Sequence, residues 1–89
     1  MSAYGEFKKR NVVYVARLYL RDFGLVDFDE RHDELRALEA FDVLVDEANL
    51  DTYGEGVYEV SLMREWWYDG ILVKAECMKK DIIDRGDEE

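Results

Sequence analysis

Val57-Tyr58-Glu59-Val60-Ser61-Leu62-Met63-Arg64-Glu65-Trp66-Trp67-Tyr68-Asp69-Gly70-Ile71-Leu72-Val73-Lys74-Ala75-Glu76-Cys77-Met78 is the stretch that decides how this chain folds. Asp69-Gly70 stands between two apolar runs, and a type I′ hairpin turn prefers that dipeptide because both central residues take positive φ. A two-residue turn there opposes Glu65 to Lys74 and Glu59 to Lys80, both complementary pairs, and sets Trp66 against Val73 and Leu62 against Cys77. A single long helix is the rival, since Val57, Val60, Trp67, Ile71, Ala75, Met78 and Ile82 also recur at a helical period. Gly70 in the middle of that helix would cost about 1 kcal/mol relative to alanine, which favours the hairpin.

Working back towards the N-terminus, Asn49 to Gly56 reads as a loop broken by Gly54 and Gly56. Before it, Leu35, Leu38, Phe41, Val45 and Ala48 recur at helical spacing, with Ala37 and Leu44 widening the stripe, so a helix is expected from Asp27 to about Asn49. Asp27 as N-cap with Glu30 at N3 would form a capping box at its start. Asn11 to Arg21 alternates with period two, Val12, Tyr14, Ala16, Leu18 and Leu20 against Val13, Val15, Arg17, Tyr19 and Arg21, and is read as a strand. The competing reading is a helix closed by Gly24.

The expected fold is therefore α+β, β-α-β-β, a three-stranded antiparallel-type sheet with one acidic amphipathic helix on a face; the alternative is a small all-α bundle. Residues 1–83 are expected to form one compact domain and 84–89 an acidic tail. With one helix for two sheet faces, the face holding Val13, Val15, Tyr19, Met63, Trp67 and Leu72 is expected to need a cover from a second protomer, another protein or the terminal segments.

Charge is uneven. The chain carries a net charge of −10, and Asp27 to Glu59 holds twelve carboxylates against only Arg31 and Arg36. That balance argues against direct binding of nucleic acid or anionic lipid. One cysteine excludes an intrachain disulfide and a four-thiolate zinc site. Together with the lack of an apolar leader or spanning stretch, it points to the cytoplasm, or to a host cytoplasm for a phage-encoded chain.

Catalytic and metal chemistries find little footing. His32 beside Asp33 lacks the further histidines of a metal-dependent hydrolase. Asp27 to Leu38 begins like a calcium loop but has Arg31 at its third ligand position, His32 in place of the turn glycine, and Leu38 where the closing glutamate belongs. Ser2 and Ser61 have no nucleophile elbow, and Cys77 is expected to be a small core residue. No enzyme, cofactor or metal is expected.

Two surfaces remain as candidates. Asp29, Asp33, Glu39, Asp42, Asp46 and Glu47 form a row on the expected helix, with rises of about 4.5 to 6 Å between carboxylates one turn apart, comparable to phosphate spacing. Trp67 and Tyr68, with Val15 and Tyr19, form an aromatic and apolar interface. The first surface points to a non-enzymatic interaction module. In that reading it is an inhibitor of the phage or mobile-element anti-defence type, offering a DNA-mimicking anionic surface to the basic groove of a nucleic-acid-handling protein. The second points to a homodimer joined through the open sheet face, with charge serving solubility. A small hydrolase or metal-binding protein is the further alternative.

Overall fold

The computed structural model describes residues 10–50 and 52–84, and over them the chain is α+β. In order come strands β1 (Arg10–Leu20) and β2 (Gly24–Arg31), helix α1 (Glu34–Asn49), and strands β3 (Val57–Tyr68) and β4 (Ile71–Asp84). They form one four-stranded sheet in the order β2-β1-β3-β4, every neighbouring pair antiparallel. The all-α alternative is not what the chain adopts. Asp84 lies in β4, opposite Val57, and the rest of the expected tail, 85–89, lies outside the described residues.

The sheet has one more strand than the sequence pattern gives. Gly24–Arg31 turns back from β1 through Arg21, Asp22 and Phe23, with Asp22 at φ 72° and Gly24 at φ 116°, and pairs along β1 from Gly24 opposite Leu20 to Arg31 opposite Tyr14. Asp27 is therefore in a strand and caps nothing. The N-cap is Asp33, whose Oδ2 accepts from the Arg36 amide at 3.1 Å. A capping signature competes locally with extended structure, and here pairing to β1 satisfies the backbone of the whole segment, so the tertiary partner overrides the local signal.

Asp69 (φ 54°) and Gly70 (φ 82°) make the expected turn. The register follows from it only for Tyr68 opposite Ile71 and Trp67 opposite Leu72. A bulge at Val73 then sets Trp66 opposite Lys74 and Glu65 opposite Ala75, and a second at Met78 sets Leu62 opposite Lys79 and Glu59 opposite Ile82. The expected pairings of Glu65 with Lys74, Glu59 with Lys80, Trp66 with Val73 and Leu62 with Cys77 are thereby corrected. Each bulge adds a residue to the outer strand and increases local twist, a device that also blunts an edge against pairing with another chain. Lys80 still reaches Glu59 diagonally, at 3.7 Å.

The core lies between α1 and the sheet. Ala37, Ala40, Phe41, Leu44 and Ala48 of the helix meet Ala16 and Leu18 of β1 and Tyr58, Val60 and Leu62 of β3, all buried. Val26 and Met78, the extra residues of the β1–β2 and second β3–β4 bulges, pack against this cluster. The stripe runs through alanines, so the backbone of α1 approaches the sheet closely. Leu35, expected in the stripe, is on the other side of the helix and exposed, while Leu38 and Val45 lie at its margin. The helix packs across β2, β1 and β3 and leaves most of β4 uncovered. Tyr58 ties down the α1–β3 loop by donating its hydroxyl to the Gly54 carbonyl. Gly56 is required there: at φ 150° it carries the chain past Leu20, whose Cδ1 would lie 2.8 Å from an added Cβ.

Candidate functional site

The acidic row survives in part. Helical geometry advances about 100° per residue, so Glu39, Asp42 and Asp46 fall within one sector of α1, opposite the buried alanines. All three are exposed, and among the described residues none of them forms an ion pair. Six of the described cations are engaged elsewhere, while Arg36, one turn before Glu39 on the same helix, lines a notch with it. Arg17 pairs with Glu65, Arg31 with Asp29, Arg64 with Glu76 and Lys80 with Glu59. Lys74 sits 4.8 Å over the Trp66 ring and Lys79 4.8 Å over the Phe41 ring.

The other three expected members leave the row, each for a local reason. Asp29 belongs to β2, and Arg31 donates to it at 2.9 Å. Asp33 is the N-cap. Glu47 turns towards β2 and the loop, where the Tyr53 hydroxyl stands 3.4 Å from both Glu47 Oε1 and Asp27 Oδ2. Partial burial, followed by the adjoining Asp27 carboxylate, raises the Glu47 pKa above its ordinary value of 4.5. With one proton, the hydroxyl donates to only one carboxylate at a time, so the two acids still repel.

Between the helix and the β2 edge lies a notch of about 210 Å3 lined by Asp29, Arg31, Arg36, Glu39, Ala40 and Val43. Its two arginines balance its two carboxylates, so the open acidic row stays on the helix. The helix surface is not purely polar: Leu35, 71% exposed, stands on the outward side among the acids, and Val43, 54% exposed, on the flank facing the notch. Hydrophobic periodicity puts Leu35 in the apolar stripe, whereas the stripe that packs is centred on the alanines.

The open sheet face is partly self-covered. Val13 and Val15 are buried there, as are Ser61 and Glu65. Arg17 is opposite Ser61, and Glu65 is opposite Val13, so the guanidinium reaches past Val15 to bind Glu65 Oε2 at 3.1 Å. Trp67 approaches from the other side and donates its indole N–H to Glu65 Oε1 at 3.2 Å. The Glu65 side chain is 8% exposed and that of Arg17 29%. Sequence alternation placed these residues on one face, but a salt bridge spanning two pairs along the ladder leaves no local signal.

Of the expected interface residues, Val15 is buried beneath this network, Trp67 is half-buried within it, and Tyr68 is exposed at the hairpin end. Tyr19 is half-buried and lines a cleft of about 560 Å3 with Arg17, Ser61, Met63, Cys77 and Lys80. Cys77, expected in the core, is exposed in that cleft, because the bulge turns Met78 inward in its stead. Leu72 and Ile82 remain exposed at the β4 side.

Among the described residues no helix is long and apolar enough to cross a membrane. Compared with known proteins, the chain matches no family model, no curated protein and no solved structure.

Proposed function

We propose that this protein is a non-enzymatic interaction module that presents the outer face of α1 to a basic surface on a nucleic-acid-handling protein and so blocks it, as anti-defence inhibitors of the phage or mobile-element type do. The observation that carries this reading is the row Glu39, Asp42 and Asp46, exposed and, among the described residues, without an ion pair, while four basic side chains pair with carboxylates elsewhere. An anionic row left open inside a chain with available arginines and lysines favours encounter with a cationic counterpart and repels nucleic acid itself.

The row covers about 10 Å of helix axis, well short of the ~34 Å turn of duplex DNA, so the target is a local basic patch rather than a whole groove. The test is binding to a panel of purified nucleic-acid-binding proteins at low and high salt, with the triple variant Glu39→Gln, Asp42→Asn, Asp46→Asn alongside. Affinity is expected to fall with salt and with the triple substitution. A binder insensitive to both would refute the proposal.

A second reading, a homodimer through the open sheet face, is favoured by the exposure of Leu72 and Ile82 beside the half-buried Trp67 and Tyr19. Light scattering at micromolar concentration tests it. The dimer should dissociate on Leu72→Ser with Ile82→Ser, substitutions that leave the Glu65 network intact; a monomeric parent chain excludes it.

A further inference from the structure

We infer that the free edge of β2 is a docking site for an extended cationic segment of a partner protein, which joins the sheet as a further strand with basic side chains on the helix side and apolar side chains on the open side. The inference goes beyond the role proposed for the outer face of α1 and does not depend on it.

The sheet order leaves β2 and β4 with one neighbour each among the described residues, so alternate backbone amides and carbonyls of both strands point away from the sheet. The two edges are protected differently. β4 carries bulges at Val73 and Met78 and the lysines Lys74, Lys79 and Lys80, devices that keep an edge from recruiting another chain. β2 has its bulge at Val26, and from Asp27 opposite Leu18 to Arg31 opposite Tyr14 it pairs regularly, with no bulge, lysine or proline. That run is close to the usual length of a strand.

Side chains of an added strand alternate between the two faces of this edge, and the faces differ in chemistry. On the helix side the register places Asp27 and Asp29, opposite Leu18 and Ala16 of the core. Glu47 stands against Asp27, with the Tyr53 hydroxyl 3.4 Å from both, and Glu39 shares the notch of about 210 Å3 with Asp29. The carboxylates on this side, Asp27, Asp29, Glu39 and Glu47, outnumber its arginines, Arg31 and Arg36. On the open side Leu25 and Phe28, opposite Tyr19 and Arg17, are exposed and, with the buried Val15, border a depression of about 250 Å3.

Charge and pattern select the occupant. A second copy offering its own β2 would set acids against acids, and an anionic strand of any origin meets the same repulsion. The lysine-bearing β4 of a second copy is interrupted by its bulges. A cationic side chain opposite Asp27 lies near Glu47 as well and relieves the repulsion between these two carboxylates. An apolar side chain opposite Phe28 covers its exposed ring. Alternating basic and apolar residues meet both demands at the period of a strand, and strand addition supplies backbone hydrogen bonds besides.

The test uses three short labelled peptides: one alternating lysine and valine, the same peptide N-methylated at every residue, and one alternating glutamate and valine. Methylation keeps the charges and side chains but removes every backbone donor. Binding to the full-length protein is read by fluorescence anisotropy, and amide hydrogen exchange locates it. The unmethylated lysine peptide is expected to bind and to slow exchange at alternate amides between Asp27 and Arg31, and the other two are expected not to bind. Asp27→Asn with Asp29→Asn should weaken it about three- to tenfold, from loss of two partly exposed charge contacts. Asp42→Asn with Asp46→Asn, an equal change of charge on the outer face of α1, should weaken it about twofold at most. Melting curves of both double variants verify that the fold is kept. Equal binding of the methylated peptide, protection in β4 instead of β2, or an equal loss in the α1 variant overturns strand addition at β2. Binding of the glutamate peptide overturns the selection by charge, and absence of binding by the unmethylated lysine peptide overturns the whole inference.

Discussion

Replacing Asp33 by alanine should destabilise the protein, whereas the same change at Asp27 should not. Asp33 Oδ2 accepts from the Arg36 amide at 3.1 Å, answering one of the four N-terminal amides that α1 leaves without an intrahelical partner. Loss of such a cap costs about 1 kcal/mol, and loss of the negative charge at the positive end of the helix dipole adds about 0.3 to 1 kcal/mol. The site is exposed, so water takes part of the load, and the sum is held near 1 to 2 kcal/mol. For a domain of this size that is a fall in Tm of about 5 to 12 °C. Asn at the same position keeps the acceptor and loses the charge, so it should recover most of the difference. At Asp27 the carboxylate accepts from the adjacent Phe28 amide, 2.8 Å away and exposed, shares the Tyr53 hydroxyl at 3.4 Å with Glu47, and stands against Glu47. Removing it exchanges a weak local bond for relief of repulsion, within about 0.5 kcal/mol of zero. Thermal unfolding of Asp33→Ala, Asp33→Asn and Asp27→Ala in one buffer decides the matter. A loss at Asp27 as large as that at Asp33 would refute the assignment of the cap and with it the placement of Asp27 in β2.

Glu47→Gln should stabilise the protein at neutral pH. The folded-state pKa is raised, so the ionised form disfavours the fold; the gain should be present above that pKa, shrink as pH falls through it, and vanish below 4.5. Partial hydration limits it to less than about 1 kcal/mol, and melting curves between about pH 4 and 8 follow it; a gain that grows towards acid pH contradicts the sign. In the open-face network, Arg17→Ala should cost more than Glu65→Gln. The first strands a carboxylate only 8% exposed, whereas the second leaves a guanidinium that is 29% exposed and reaches water. Denaturant titration should give about 2 to 4 kcal/mol for the first and about 1 for the second, and the reverse order would count against the network.

The sequence by itself determined the elements whose signals are local. Alternation over Asn11 to Arg21 gives β1, and Asp69-Gly70 gives the β3–β4 hairpin because few other dipeptides accept two positive φ values in succession. The helical period of Ala37, Phe41, Leu44 and Ala48 gives the presence of α1 though not its start, and the density of acids between Asp27 and Glu59 marks where the candidate surface lies. Tertiary structure decided what depends on distant partners. Pairing to β1 claimed Asp27–Arg31 as a strand despite its capping signature, which moved Asp29 and Asp33 out of the acidic row. Bulges at Val26, Val73 and Met78 shifted registers that charge pairing had placed otherwise, turned Met78 inward and left Cys77 exposed. Which carboxylates are paired follows the same way, since Arg17, Arg31, Arg64 and Lys80 each meet a partner that strand order and register bring close. Local propensity fixes φ and ψ one turn or one alternation at a time, while the fate of a charge depends on every side chain the fold places within a few ångströms of it.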